Sequence, residues 1–373
     1  MKRITTLVLG LLLSLPLLAQ PRLLMVLSSH GEHDSEQNIV QPGFEFDELA
    51  KAYNVFSANG IEVDIASPKG GLPLADNYDP QKAYNQTFIQ DKQAMDKLSH
   101  SLKLKAVNAS DYQGIFVVGG KGPMFDLHQD NHLQALIRQI WENQGVVSAV
   151  CHGPAALVDV TLSDGSYLVA GKRVNGFTNQ EEMAFGKKWR PQFAFLLQDK
   201  LSERGAKFER SSLMLNHVAQ DDRLITGQNP FSTVDTALAV VKAMGIDTKT
   251  IPAYADDQTI KLVRRLLEGE AYTTEQLKAE QDIQVELLGM YGYYLAQFAE
   301  SQVQQRQAAQ LMELVQPIMQ HPVLALETAK VYQSLGDATQ ARDTLNALLQ
   351  THPDMEEAKL LLQSLNGTQT DSE

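Results

Sequence analysis

Short apolar runs alternate with amphipathic stretches along the first two thirds of the chain. Leu23–Ser28, Ile61–Ala66, Gly114–Val118, Val146–Val150 and Leu224–Gly227 each read as a buried strand. Between the first two, Phe46, Leu49, Ala50, Tyr53 and Phe56 share one face of a helix over Phe46–Asn59, which Gly60 closes. This alternation, from Arg22 to about Gly245, predicts an α/β fold: a mostly parallel sheet sandwiched by helices. Ligands of such sheets lie beyond the carboxyl ends of the strands.

Past Pro252 the pattern changes. Strand-like runs thin out, and glutamine, alanine and leucine dominate. The spacing Ala329, Tyr332, Leu335-Gly336-Asp337, Ala341, Leu345, followed by His352-Pro353, resembles a tetratricopeptide repeat. Tyr291–Met319 with His321-Pro322 looks like a degenerate copy, although a plain helical hairpin packed on the main domain fits equally well. The expected division is a signal peptide over 1–19, an α/β domain over 22–247, a helical extension over 252–366 and a disordered tail over 367–373. A chain ending near Gly245 is accordingly expected to fold and keep its activity.

The start of the chain speaks to compartment. Met1-Lys2-Arg3, the apolar Leu7–Leu18 and Ala19-Gln20 have the layout of a cleaved secretory signal. The apolar run is shorter than the roughly 20 residues of a membrane span, so an exported protein, periplasmic or secreted, is expected. The net charge of −13 disfavours nucleic acid and anionic membrane as partners. A homodimer, and a protein bound through the helical extension, stay open.

Export also singles out Cys151, the one cysteine of the chain. It can form no internal disulfide, so its presence calls for reactivity or intermolecular pairing. It ends the run Gly145–Val150 and precedes His152-Gly153-Pro154 and the apolar Ala155–Val158. Small Ala149 and Gly153 flank it as in a nucleophile elbow, where a strand turns sharply into a helix. A helix N-terminus would favour the thiolate.

Other residues could join it. Gly119-Gly120-Lys121-Gly122 lacks a phosphate-loop pattern, but the N–H groups of Gly120 and His152 could form an oxyanion hole. Glu48, early in the first helix, would reach the elbow if it pointed back over the strand ends. Of the acids Glu181 and Glu182, which follow the strand-like Arg173–Phe177, one could orient His152. His30 and His33, and Asp126 with His128 and His132, lack the partners of a metal site. Nothing local fixes a role for His217.

The ordered motifs Ala66-Ser67-Pro68-Lys69-Gly70-Gly71, Phe116-Val117-Val118-Gly119-Gly120, Gly122-Pro123-Met124-Phe125-Asp126, Ala149-Val150-Cys151-His152-Gly153-Pro154, Gly176-Phe177-Thr178-Asn179 and Thr226-Gly227-Gln228-Asn229-Pro230 together resemble the ThiJ/PfpI (DJ-1/PfpI) superfamily, in its heat-shock-protein-31-like class. The resemblance spans roughly Leu23 to Gly245. It implies a flavodoxin-like, class I glutamine amidotransferase-like sheet and a glyoxalase III-type lyase, working on methylglyoxal or glyoxal without glutathione, cofactor or metal. By the same resemblance Cys151 matches the nucleophile, His152 its base, Glu48 the acid beside the thiol and Glu182 the partner of His152, with Glu181 as fallback. Lys121 stands where relatives often carry histidine, so the resemblance does not carry substrate choice. Protein deglycation, peptidase action and a holdase chaperone with Cys151 as redox sensor are the rival functions. An amidotransferase would need a His-x-Glu triplet after Cys151, and none occurs.

Overall fold

The computed structural model describes residues 20–249, 251 and 253–367. The expected signal peptide over 1–19, the boundary residue Pro252 and residues 368–373 of the expected tail lie outside them. Gly367, assigned to that tail from the sequence, is instead the last residue of a helix.

Eleven strands are β1 (Arg22–Val26), β2 (Glu32–His33), β3 (Ile39–Gln41), β4 (Glu62–Ser67), β5 (Leu102–Lys103), β6 (Gly114–Val117), β7 (Val146–Val150), β8 (Arg173–Val174), β9 (Lys207–Phe208), β10 (Val218–Asp221) and β11 (Leu224–Gly227). Seven form one sheet in the order β10-β11-β7-β6-β1-β4-β5. Every pairing in it is parallel except that of β10 with β11. The five expected strands are its centre. The edge strands β5 and β10 were not foreseen, because two exposed residues and the mixed Val218-Ala219-Gln220-Asp221 carry no buried-strand pattern. Of the strand-like Arg173–Phe177, only Arg173–Val174 is a strand, paired with β9 away from the main sheet.

Seven helices accompany this sheet: α1 (Phe46–Ala58), α2 (Ala83–Gln90), α3 (Lys92–Ser99), α4 (Asn131–Glu142), α5 (Asn179–Phe185), α6 (Leu197–Glu203) and α7 (Thr233–Ala243). Side chains alternate across each strand, so Leu23 and Met25 face one helical layer and Leu24 and Val26 the other. The first layer, with α1, α2 and α7, contributes Leu49, Phe56, Phe88 and Val240. The second, with α4 and α6, contributes Leu133, Ile137, Ile140 and Leu201. Burial on both faces is why the central strands read as continuous apolar runs. Helix α1 stops where the sequence indicates, with Gly60 at φ +75° just beyond Asn59.

Beyond α7 the described residues form the helices α8 (Ala255–Leu267), α9 (Thr274–Ala279), α10 (Val285–Gln297), α11 (Gln302–Met319), α12 (Pro322–Ser334), α13 (Ala338–Thr351) and α14 (Glu356–Gly367). From α10 onward each helix packs on its chain neighbours. The stretch Tyr291–Met319 is thus two helices, broken at Phe298–Ser301. Leu215 belongs to the core of this extension, and Met214 and Phe231 pack against it. No described helix is long and apolar enough to cross a membrane.

Candidate active site

Cys151 stands one residue beyond β7, where the chain must leave the sheet at once. Its φ is +60°, a left-handed conformation that costs a non-glycine residue of the order of 1–2 kcal/mol. Two backbone bonds hold it there: its N–H donates to Gly227 O (2.9 Å), and its carbonyl accepts from Phe177 N–H (2.8 Å). Close packing keeps the neighbours small, since a Cβ on Gly153 would lie 2.4 Å from Val117 O. On Gly119 it would lie 2.6 Å from Glu48 Oε2 and 2.7 Å from Cys151 Cβ. The sharp turn expected at the end of β7 is therefore present.

The segment after the elbow differs from expectation. Gly153–Leu157 is a five-residue 3-10 helix, closed by Ala155 N–H to His152 O. Three-residue spacing suits short connectors, and so short a piece lends little dipole to the sulfur. Burial instead pushes the Cys151 thiol well above its usual range, and the neighbouring Glu48 charge adds to it. The backbone N–H of Gly120 pulls the other way.

Two carboxyl groups act on the thiol and a third on the imidazole beside it. Glu48, fully buried on α1, accepts from Gly119 N–H (2.7 Å) through Oε2, while Oε1 meets no hydrogen-bond donor among the described residues. Burial pushes this carboxyl well up, and the charge of Glu45 pushes further. Glu45 was not among the residues expected from the sequence. It caps α1, is only partly buried, and is pushed up to about 7 by burial and by Asp47 and Asp76, against the pull of Lys121. A pair of acids three positions apart at the start of one helix is the signal that could have found it. Glu182 is the third. Its Oε2 lies 2.8 Å from His152 Nε2, whose ring places Nδ1 3.5 Å from Cys151 Sγ. Phe177 and Phe193 flank the imidazole.

Glu182, not Glu181, therefore contacts His152. Glu181 turns the opposite way and forms a capping box with Thr178. The remaining candidates do not reach the thiol. His30 stacks on Phe125, His33 meets Ala75 O, His128 packs on Phe195, and His217 approaches Glu209. Asp126 accepts from Ser28 Oγ and Ser29 N–H. No group of His, Cys, Asp and Glu suited to a metal occurs among the described residues.

A thiol, an imidazole–carboxylate pair and a second buried acid converge at the end of a parallel strand. The DJ-1/PfpI family model matches residues 38–243, more than half of the 373-residue chain. A relative in Schizosaccharomyces pombe, the glutathione-independent glyoxalase hsp3102, is 32% identical over 213 residues, covering 54% of this chain and 89% of the relative. The glutathione-independent glyoxalase HSP31 of Saccharomyces cerevisiae is 32% identical over 206 residues, covering 53% and 87%. Among solved structures, glyoxalase III of Candida albicans superposes with a TM-score of 0.55 at 26% identity, covering 60% of this chain and 97% of that one. This chain belongs to the DJ-1/PfpI family.

Proposed function

We propose that this DJ-1/PfpI protein is a glutathione-independent glyoxalase, converting methylglyoxal or glyoxal to the hydroxy acid on Cys151. The observation that carries the reading is the unbroken sequence of contacts Glu182–His152–Cys151, with the buried Glu48 carboxyl acting on the same sulfur. The substrate assignment is supported by the names of the relatives, and Cys151 as nucleophile by the geometry.

The thiolate adds to the aldehyde carbon, forming a C–S bond and a hemithioacetal oxyanion. The N–H of Gly120 favours negative charge at the sulfur, and no backbone acceptor takes that of His152 among the described residues. Both are therefore available to the new oxyanion. One base, His152 held by Glu182 or else Glu48, removes the proton from the former aldehyde carbon, while the neighbouring carbonyl receives one proton on carbon and, on oxygen, the one first taken from the thiol. This leaves a thioester at one carbon and a hydroxyl at the next. Water cleaves the thioester and restores the thiol, so the net change is addition of one water with no external oxidant. A thiol pushed up by burial needs its proton taken at the moment of attack, which the imidazole at 3.5 Å can do.

The same reading places the protein outside the cytoplasm, on the strength of the first nineteen residues. The test is conversion of methylglyoxal by the purified mature protein without added thiol, following lactate. Cys151→Ala should abolish turnover and keep the native circular dichroism spectrum. Near-full activity in that variant would refute the reading.

A further inference from the structure

We propose that Glu181 is a positioning residue that fastens the strained Cys151 turn and the helix bearing Glu182 into one unit. The inference rests on the roles given above to Cys151 and Glu182, and assigns Glu181 no contact with substrate. Five donors converge on its buried carboxylate. Oε2 accepts from Thr178 N–H (2.9 Å) and Thr178 Oγ1 (3.0 Å). Oε1 accepts from Met214 N–H (2.9 Å), Gln228 Nε2 (2.9 Å) and Asn229 Nδ2 (2.8 Å).

The addresses of these donors matter more than their number. Thr178 follows Phe177, whose N–H holds the Cys151 carbonyl. Gln228 follows Gly227, whose carbonyl holds the Cys151 N–H. Both backbone groups of the left-handed cysteine are thus gripped by residues adjacent to those that Glu181 ties together. A strained φ persists only where the surroundings over-determine it, and this carboxylate closes the frame. The next residue, Glu182, projects to the other side of α5 and meets His152. Displacing the first turn of α5 would therefore disturb the imidazole and the cysteine turn together.

An isosteric amide cannot replace this carboxylate. All five partners donate, so the NH2 of glutamine would face one or more of them as a donor against a donor. The third anchored segment leads to the extension: Met214 precedes Leu215, whose carbonyl accepts from Asn229 Nδ2 and whose side chain lies in the extension core. Tyr291 of α10 is buried beside the same charge.

The experiment compares Glu181→Gln, Glu182→Gln, the double variant and the milder Gln228→Met, each in the full mature chain. Three quantities are read: melting temperature, the pH dependence of Cys151 alkylation by iodoacetamide, and kcat and KM with methylglyoxal. The thiol faces Glu48 and Glu45 from α1 and His152 from its own turn, and the imidazole faces Glu182 from α5. None of the first three is altered. Loosening the Glu182 contact lets the imidazole drift from the sulfur it approaches, so the alkylation profile of Glu181→Gln should move to higher pH, as in Glu182→Gln but less far. Its kcat should fall roughly tenfold, a fraction of what misplaced catalytic groups cost, with KM changed less. The double variant should be no worse than Glu182→Gln alone, the signature of two residues acting in one unit.

A lowered melting temperature with unchanged kcat and alkylation profile would overturn the proposal, as would additive effects in the double variant. If Glu181→Gln does not fold, Gln228→Met decides: a smaller shift in the same direction supports the proposal, and a profile identical to the wild type overturns it. Should the wild-type protein fail to turn over methylglyoxal, the functional reading falls, while the alkylation comparison still decides the role of Glu181.

Discussion

Glu48 and Lys51 stand one turn apart on α1, both buried, and the protein treats their charges in opposite ways. Lys51 Nζ is paired with Asp256 (2.8 Å) and Asp257 (2.7 Å) of α8, and lies over the Tyr84 ring at 4.6 Å. Burial works against its charge, but Asp257 and then Asp256 outweigh it and hold the ammonium more firmly than in water. Among the described residues Glu48 has one N–H donor, a second acid in Glu45 and no cation paired with it. Its charge is penalised, as is that of the thiol beside it. A buried charge that is fully partnered fixes how two pieces of chain fit together. One left short of partners shifts its proton affinity toward the range useful for proton transfer. The same helix thus serves the extension through one residue and the thiol through the other.

The sharpest way to break this comparison is to remove the docking end. Deleting everything after Gly245 uncovers Leu213, Leu215 and Phe231 and strips Lys51 of both aspartates. We expect insoluble or strongly destabilised protein, checked by light scattering and thermal unfolding. This reverses the expectation drawn from motif positions alone, because motifs record where the chemistry is and not which apolar faces are shared.

A single substitution tests the same knot at smaller scale. Lys51→Met leaves Asp256 and Asp257 partly buried without their cation, which costs about 3–5 kcal/mol in comparable settings. Denaturant unfolding should show the loss, and adding Asp256→Asn and Asp257→Asn should recover part of it. A melting curve unchanged by Lys51→Met would mean that the extension is held by its apolar contacts alone.

At the other end, Glu48→Gln should change reactivity much more than stability. Removing a negative charge beside the sulfur removes an obstacle to ionisation, so Cys151 alkylation should shift to lower pH while kcat falls for want of the acid. Superimposable alkylation profiles would show that the carboxyl does not act on the thiol.

The smallest effect belongs to Glu45. Its folded-state value of about 7 lies above the ordinary 4.5, so its contribution to stability is complete below pH 4.5 and is lost as pH rises toward and through 7. Glu45→Gln should accordingly raise the melting temperature slightly at pH 7.5 and leave it unchanged at pH 4.5. An equal gain at both values would assign the effect to something other than the charge.

The legible parts of the molecule were those whose information is local. The five central strands follow from uninterrupted apolar runs, because a strand covered on both faces has no polar side to interrupt them. The end of α1 follows from Gly60, and the turn at Cys151 from the flanking Ala149 and Gly153. The cysteine itself was visible from its uniqueness in the chain and its place after β7. Single-residue spacing could not separate Glu181 from Glu182. Adjacent helical positions point about 100° apart, and which of them met His152 depended on where Thr178 fixed the start of α5.

The sequence by itself determined the five central strands, the first helix, the parallel character of the sheet and the residue types that carry chemistry, since these depend on periodicity and on neighbours a few positions away. Only the tertiary structure decided the protonation landscape around Cys151. That depends on burial and on groups brought from α1, the Gly119-Gly120 turn and α5, segments distant along the chain on both sides of the cysteine. It likewise decided that the extension is bound to the α/β layers by a buried lysine, because the pairing of Lys51 with Asp256 and Asp257 spans more than 200 residues of chain and leaves no periodic trace.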